Sequence, residues 1–235
     1  MKNYLFTVMM LLTTMSLQAQ SFCGVHKYDG EHKNEGAGYV ISGYNVVSGA
    51  FVGVELSYKR HLTDRWHVSS NGQLQFGKQI YSIGIEGGYR LPWGFSDFYF
   101  EGRAIANRYN RWQTNEKIYN LSVAWETPYI HLRLGESYIH YQFHDDGYSE
   151  PLTMTFGTGV TIRPRWHPWN IGLFFRNYDE FYYENWNINW GLQFYAQLRQ
   201  QMMLFGEFTV RPAGSISQLA SKYETTGRLG IKYVW

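Results

Sequence analysis

The sequence predicts an all-β fold: a transmembrane, antiparallel, up-and-down β-barrel of about twelve strands, with ten or fourteen as the alternatives. Three observations predict it. From residue 37 onward the chain divides into segments of about ten to thirteen residues in which apolar and polar positions alternate, the period-two pattern of strands with one apolar and one wet face. Aromatic residues make up 19% of the chain although its mean hydropathy is negative, which suits a lipid-facing wall with aromatic girdles around a polar interior. The last eight residues, Arg228 to Trp235, alternate strictly and end on a ring that a soluble domain would have nothing to bury against.

The first element is not part of the barrel. Lys2 precedes an apolar run from Tyr4 to Leu12, and Leu17-Gln18-Ala19 offers a cleavage site, so residues 1–19 read as a secretory signal peptide. That run is too short to span a bilayer, and no later stretch of about 18 apolar residues occurs. Residues 20–36 are polar, carry His26, Lys27, Asp29-Gly30, His32 and Lys33, and lack alternation; they read as a periplasmic tail or as a plug for the barrel. Cys23 is the sole cysteine, which rules out a disulfide within the chain, and Gln20-Ser21-Phe22 before it lacks the residues of a lipidation signal. A net charge of +2 without a Lys/Arg block gives no reason to expect nucleic acid as a partner.

Residues 37–235 form a single barrel domain. Segments 37–48 and 50–61 make the first hairpin. In Trp66 to Phe76, the clearest strand, Trp66, Val68, Leu74 and Phe76 oppose His67, Ser69, Asn71, Gln73 and Gln75. Segments 78–91, 97–109, 118–127 and 129–141 follow. In the last of these Ile130, Leu132 and Leu134 alternate with His131 and Arg133, and the phase is expected to slip by one near Glu136, as at a bulge. In 153–163, Met154, Phe156, Val160 and Ile162 oppose Thr153, Thr155, Gly157, Gly159, Thr161 and Arg163. Segment 169–178 precedes 188–199, where Ile188, Trp190, Leu192, Phe194 and Leu198 oppose Asn189, Gln193, Gln197 and Arg199; then come 202–211 and 223–235.

The links sort by length. One side receives the turns near Thr63-Asp64, Pro92 to Gly94, Thr127-Pro128, Pro164 to Pro168 and Gln200-Gln201, and the other receives the long stretches 110–117, 142–151, 178–186 and 212–222 together with two short turns near Gly49 and Gly77. This is the asymmetry of short periplasmic turns and longer outer loops. The closing strand also resembles the carboxy-terminal signal of Gram-negative outer-membrane β-barrels, through Arg228, Gly230, Tyr233 and Trp235. The resemblance implies a porin-like protein of the cell outer membrane, read by the barrel-assembly machinery, surrounded by lipid and lipopolysaccharide, with both termini periplasmic.

Twelve strands about 4.7 Å apart, tilted near 40°, give a backbone radius of roughly 12 Å and a lumen of roughly 10 Å once side chains are added. The charged residues that alternation turns inward are Glu86, Glu101, Arg103, Arg133, Arg176, Glu207, Arg228 and Lys232, joined by Arg90, Arg163, Arg199, Arg211, Glu126 and Glu224. Glu207 with Arg228 and Glu86 with Arg103 fall at similar depth on neighbouring strands. Such groups hold the wall as ion pairs or line a wetted path, and the positive excess suggests a mild preference for anions. Inward Gly84, Gly88, Gly157, Gly159, Gly191 and Gly230 would leave room for water or a plug.

The leading functional expectation is a passive channel for small polar solutes. The alternative is a non-conducting structural subunit of an outer-membrane protein complex, favoured by the ring-rich outer loops with Trp112, Phe181, Tyr182, Tyr183 and Trp186, which read either as a membrane girdle or as a surface for protein or sugar. The third is a lipid hydrolase, because His67-Val68-Ser69 has the His-x-Ser spacing that such barrels use. No catalytic set beyond that pair is expected, and no cofactor. His144, Asp145, Asp146 and Glu150 match no calcium loop, so no metal site is expected.

Overall fold

A computed structural model describes residues 33–46, 49–143, 146–178, 188–211 and 224–235. The expected signal peptide, Cys23 and most of the 20–36 segment lie outside the described residues.

Among the described residues the barrel has twelve strands: β1 (Asn34–Asn45), β2 (Gly49–His61), β3 (Trp66–Gln75), β4 (Ile80–Trp93), β5 (Ser96–Tyr109), β6 (Thr114–Glu126), β7 (Ile130–Phe143), β8 (Asp146–Thr161), β9 (Trp169–Arg176), β10 (Asn189–Arg199), β11 (Met202–Arg211) and β12 (Glu224–Val234). Each pairs antiparallel with its sequence neighbours, and β1 pairs with β12 to close the barrel. Closure is what an apolar surround requires, since an open edge would leave backbone donors and acceptors unpaired in lipid. Past the last strand, the Asn34 and Trp235 backbones exchange two hydrogen bonds of 2.9 Å. Both ends of the sheet therefore meet at one rim, called here the terminal rim; the opposite one is the distal rim.

The wall has an apolar outside and a polar inside. On β2, Val52, Val54 and Leu56 are exposed outward while Glu55, Ser57 and Lys59 are buried inward, and the other strands repeat this with their own residues. Tyr233 and Trp235 stack at the terminal rim with Tyr58 beside them, and Trp66 packs on Tyr89 nearby, as girdle aromatics do.

Four sequence expectations change. The barrel starts at Asn34 rather than at residue 37, so Glu35 belongs to the wall. β7 keeps its phase throughout: Arg133 and Ser137 are buried inside, and Glu136 points out from the middle of the strand. The irregularity lies between Ser137 and Ile139 in the pairing with β8, where Thr153 and Glu150 are the partners. Pro151 sits inside that offset, and a residue without a backbone N–H is accommodated where the ladder is broken. The same bulge hid the start of β8, which runs through most of what read as the loop 142–151, leaving only 144–145 between the strands. Likewise 110–117 shrinks to a one-turn 3-10 helix, Asn110–Trp112, and Gln113 with positive φ before β6. Only the links 177–188 and 212–223, both distal, remain long, while 162–168 is the longest at the terminal rim.

Candidate functional site: a lumen in three tiers

At the distal end, several inward residues of β4 to β7 are apolar and lie among buried Ser82, Asn107, Thr114 and Glu116. Ile80, Ile105, Tyr109, Ile118, Ile139, Tyr141 and Tyr178 form one buried cluster. Glu116, level with Tyr141 in the register, accepts from Asn107 Nδ2 at 2.6 Å and from the Tyr109 hydroxyl at 2.8 Å. On the β11–β12–β1 side, Glu224 pairs with the Lys78 ammonium, accepts from Asn45 Nδ2 at 2.8 Å and lies 3.5 Å from Arg211 Nη1.

The middle tier is a belt of charge. Arg228 pairs with Glu55 and lies 3.6 Å from Glu207, which takes a 2.9 Å bond from Arg176 Nη2. Arg103 Nε donates to Glu86 Oε2 at 2.8 Å, and Arg133 Nη1 lies 3.0 Å from Glu101 Oε2. Guanidinium faces also lie over rings: Arg176 is 4.2 Å from Phe174, Arg133 is 5.0 Å from Tyr178 and Arg228 is 5.1 Å from Tyr39. Glu55 is 0% and Arg133 2% exposed, so the belt fills the cross-section rather than lining an open bore.

The terminal tier opens into a cavity of about 350 Å³ lined by Lys59, His61, His67, Arg90, Glu126 and Arg165 among others. Its charges are paired too. Glu35 contacts His61 Nε2 at 3.1 Å and Lys232 Nζ at 2.5 Å, Glu126 contacts His131 Nδ1 at 3.0 Å and Arg165 Nη1 at 2.5 Å, and Arg90 meets Asp97 at 2.8 Å. On the opposite wall Tyr39, Tyr195, Met203, Phe205 and Val234 pack together. In the turn at this mouth, the Tyr89 hydroxyl beside Arg65 raises the guanidinium pKa above its ordinary value.

The structure places Glu86, Glu101, Arg103, Arg133, Arg176, Glu207 and Arg228 in the belt, and Lys232 at the terminal end. Glu86 pairs with Arg103 as alternation suggested, whereas the chief partner of Arg228 is Glu55, reached over β1. Glu35, Glu55, Lys59, Lys78 and Glu116 are inward charges that the alternation reading left out, although Glu55, Lys59 and Glu116 alternate with outward residues in the ordinary way. Arg163 instead lies in the 162–168 turn with its guanidinium 3.5 Å from the Trp169 ring, and Arg199 is exposed at the end of β10. Three more inward glutamates and these two arginines outside outweigh the two added lysines, so the interior comes close to charge balance and the expected positive excess nearly vanishes.

Nor do the inward glycines open a water path. A Cβ at Gly88 would strike the His67 ring, one at Gly157 the Tyr178 ring, and one at Gly230 the Tyr39 ring. Each glycine is a recess that lets a neighbour's side chain lie against the wall.

His67 and Ser69 face this lumen, 3% and 7% exposed, rather than the lipid. Both aim at one carboxylate oxygen: Ser69 Oγ donates to Glu86 Oε1 at 3.5 Å, and His67 Nε2 lies 3.5 Å from the same atom. The serine hydroxyl is thus directed at a buried glutamate, and the imidazole at the same oxygen, both inside the lumen. Of the ring-rich surface, Trp112 ends the distal 3-10 helix, while Phe181, Tyr182, Tyr183 and Trp186 lie outside the described residues. His144 and Asp145 also lie outside them, and Asp146 and Glu150 belong to β8.

Neither a protein-family model nor a curated protein sequence matches this chain. Its fold, however, is that of outer-membrane β-barrel porins. A KdgM porin solved in complex with disordered oligogalacturonate superposes with a TM-score of 0.56 over 86% of this chain and 99% of its own, at 11% identity. The NanC porin gives 0.55 over 83% and 98%, at 12% identity. The outer membrane phospholipase A from Escherichia coli gives 0.51 over 92% and 94%, at 9% identity.

Proposed function

We propose that this barrel is a porin-like outer-membrane channel for small polar solutes. One observation carries the reading: the inward face is polar and charged through the belt and terminal tiers of a closed twelve-strand wall, and the groups that occlude it are single side chains. A lumen this narrow and nearly neutral suits solutes of a few heavy atoms with no strong charge preference. In planar bilayers the purified barrel should give small, discrete conductance steps; a sealed bilayer in every preparation would overturn the proposal.

The terminal rim is the periplasmic one in this reading, with both termini there, since the two long links are distal. Arg228, Gly230, Tyr233 and Trp235 serve as the assembly signal. Arg108 and Lys117, outward and exposed near the distal rim, supply cations at the level of lipopolysaccharide phosphates.

A second reading, the structural subunit, is favoured by the completeness of the belt, because ion pairs at 0% and 2% exposure serve a sealed wall equally well. Trp112 and the rings of 181–186 are the contact surface in that case. Recovery of a stoichiometric outer-membrane partner in mild detergent, together with absent conductance, would select this reading over the first.

A further inference from the structure

We propose that His67, Glu86 and Glu101 form a binding site for a borderline divalent metal ion, with Zn²⁺ as the representative species. One ligand atom from each residue lies within 4.8 Å of the other two. Three adjacent strands present them, since Ser69 pairs with Glu86 and Gly88 with both His67 and Glu101. The independent sign is His67 itself: its Nε2 is buried, makes no hydrogen bond, and points at Glu86 Oε1 from 3.5 Å. A buried imidazole nitrogen without a hydrogen bond is costly unless it is given something to bind. Tetrahedral zinc with bonds near 2.0 Å holds its ligand atoms roughly 3.3 Å apart, so the His67 and Glu86 atoms at 3.5 Å are nearly in place and Glu101 has to close by no more than about 1.5 Å.

The surroundings suit an ion rather than a proton relay. Each carboxylate uses Oε2 on an arginine, Glu86 with Arg103 and Glu101 with Arg133, which fixes its orientation as outer-shell partners of metal ligands do. Gly88 leaves the space in which the ring lies. His67 also lines the terminal cavity, so an ion has an entry path, and water can supply the fourth ligand. The two arginines already balance the two glutamates, so the ion adds charge to a neutral group. That penalty makes binding modest and selects ions that gain from a nitrogen ligand over hard ions such as Ca²⁺, which want six to eight oxygens.

The test is equilibrium dialysis of the purified full-length barrel in detergent against Zn²⁺ or Ca²⁺, with heat-modifiable gel migration confirming that each variant is folded. One Zn²⁺ per barrel is expected, with no Ca²⁺ bound at the same concentration, and affinity should fall at least tenfold in His67→Gln and in Glu101→Gln. Gly88→Ala, which displaces the ring without removing a ligand, should weaken binding as well. Zinc X-ray absorption should show one imidazole among oxygen ligands. Absence of stoichiometric Zn²⁺, or binding that survives all three substitutions, overturns the assignment; neither outcome depends on whether the barrel conducts.

Discussion

The two ends of the lumen solve the problem of filling a barrel in different ways. Near the distal rim, Ile80, Ile105, Ile118 and Ile139 meet Tyr109, Tyr141 and Tyr178 in a buried apolar cluster, while near the terminal rim Lys59, His61, Arg90 and Arg165 surround a cavity of about 350 Å³. The charged belt lies between them. A solute arriving from the terminal side meets a cavity with paired charge on one wall and the Tyr39, Tyr195 and Phe205 cluster on the other. From the distal side it meets the apolar cluster on one wall and the Lys78, Glu224 and Arg211 group on the other; apolar constrictions block flow by excluding water even when their radius would admit an ion. The resistance to permeation is therefore expected at the distal cluster and the belt, with the terminal cavity acting as a vestibule.

The largest effect should come from the belt, because both ends depend on it. Arg228→Ala takes the guanidinium away from Glu55 and Glu207 at a depth where both carboxylates are buried, and should cost about 3–5 kcal/mol in the folding equilibrium measured in urea with lipid vesicles. Replacing the pair together, Arg228→Met with Glu55→Gln, should cost distinctly less, since no carboxylate is then left without its arginine. Equal losses would show that Arg228 acts through packing on Tyr39 rather than through charge.

The next effect separates the two ends. Ile118→Ala removes buried volume from the distal cluster, which should cost about 2–4 kcal/mol and raise single-channel conductance, because the constriction loosens. Arg165→Ala on the vestibule wall should alter ion selectivity with little change in conductance. If the two variants exchange these signatures, the constriction sits at the terminal end and the comparison is inverted.

The difference between the ends was only partly legible in the sequence. Alternation found all twelve strands and set the direction of every belt residue expected inside, because a period of two leaves no freedom once one face is lipid. It could not find the distal cluster, since Ile105, Ile118 and Ile139 are apolar residues on the inward phase, where a polar residue is the rule for a barrel. Alternation was also silent on partners. Arg228 reaches over β1 to Glu55, a choice made by side-chain length and wall curvature, whereas sequence offered only the neighbouring Glu207. The His67 and Glu86 approach depends on the recess at Gly88, one strand away in the register, and a single sequence does not give the register. Pro151 concealed the distal half of β8 because the bulge around it breaks the period that identifies a strand.

The smallest expected effect concerns the outside of the same wall. Inside, charge is tolerated because every belt carboxylate has an arginine; outside there is no such remedy, and Glu136 stands at the middle of β7 with exposed Leu121, Leu134, Tyr138 and Met154 around it. Its carboxylate has no hydrogen-bond or ion-pair partner among the described residues, and Gly87 and Gly102 leave a recess in the outer wall beside it. Lipid-facing basic residues at mid-depth cost about 2–4 kcal/mol and acidic ones less, so Glu136→Leu should stabilise the barrel by about 1–2 kcal/mol in vesicles of pure phospholipid. The sign matters more than the size. A gain in pure lipid that turns into a loss of barrel yield in native outer membranes would mean that a donor from a neighbouring molecule occupies the recess there. The lipid face would then contain a contact that the sequence read only as an irregular strand.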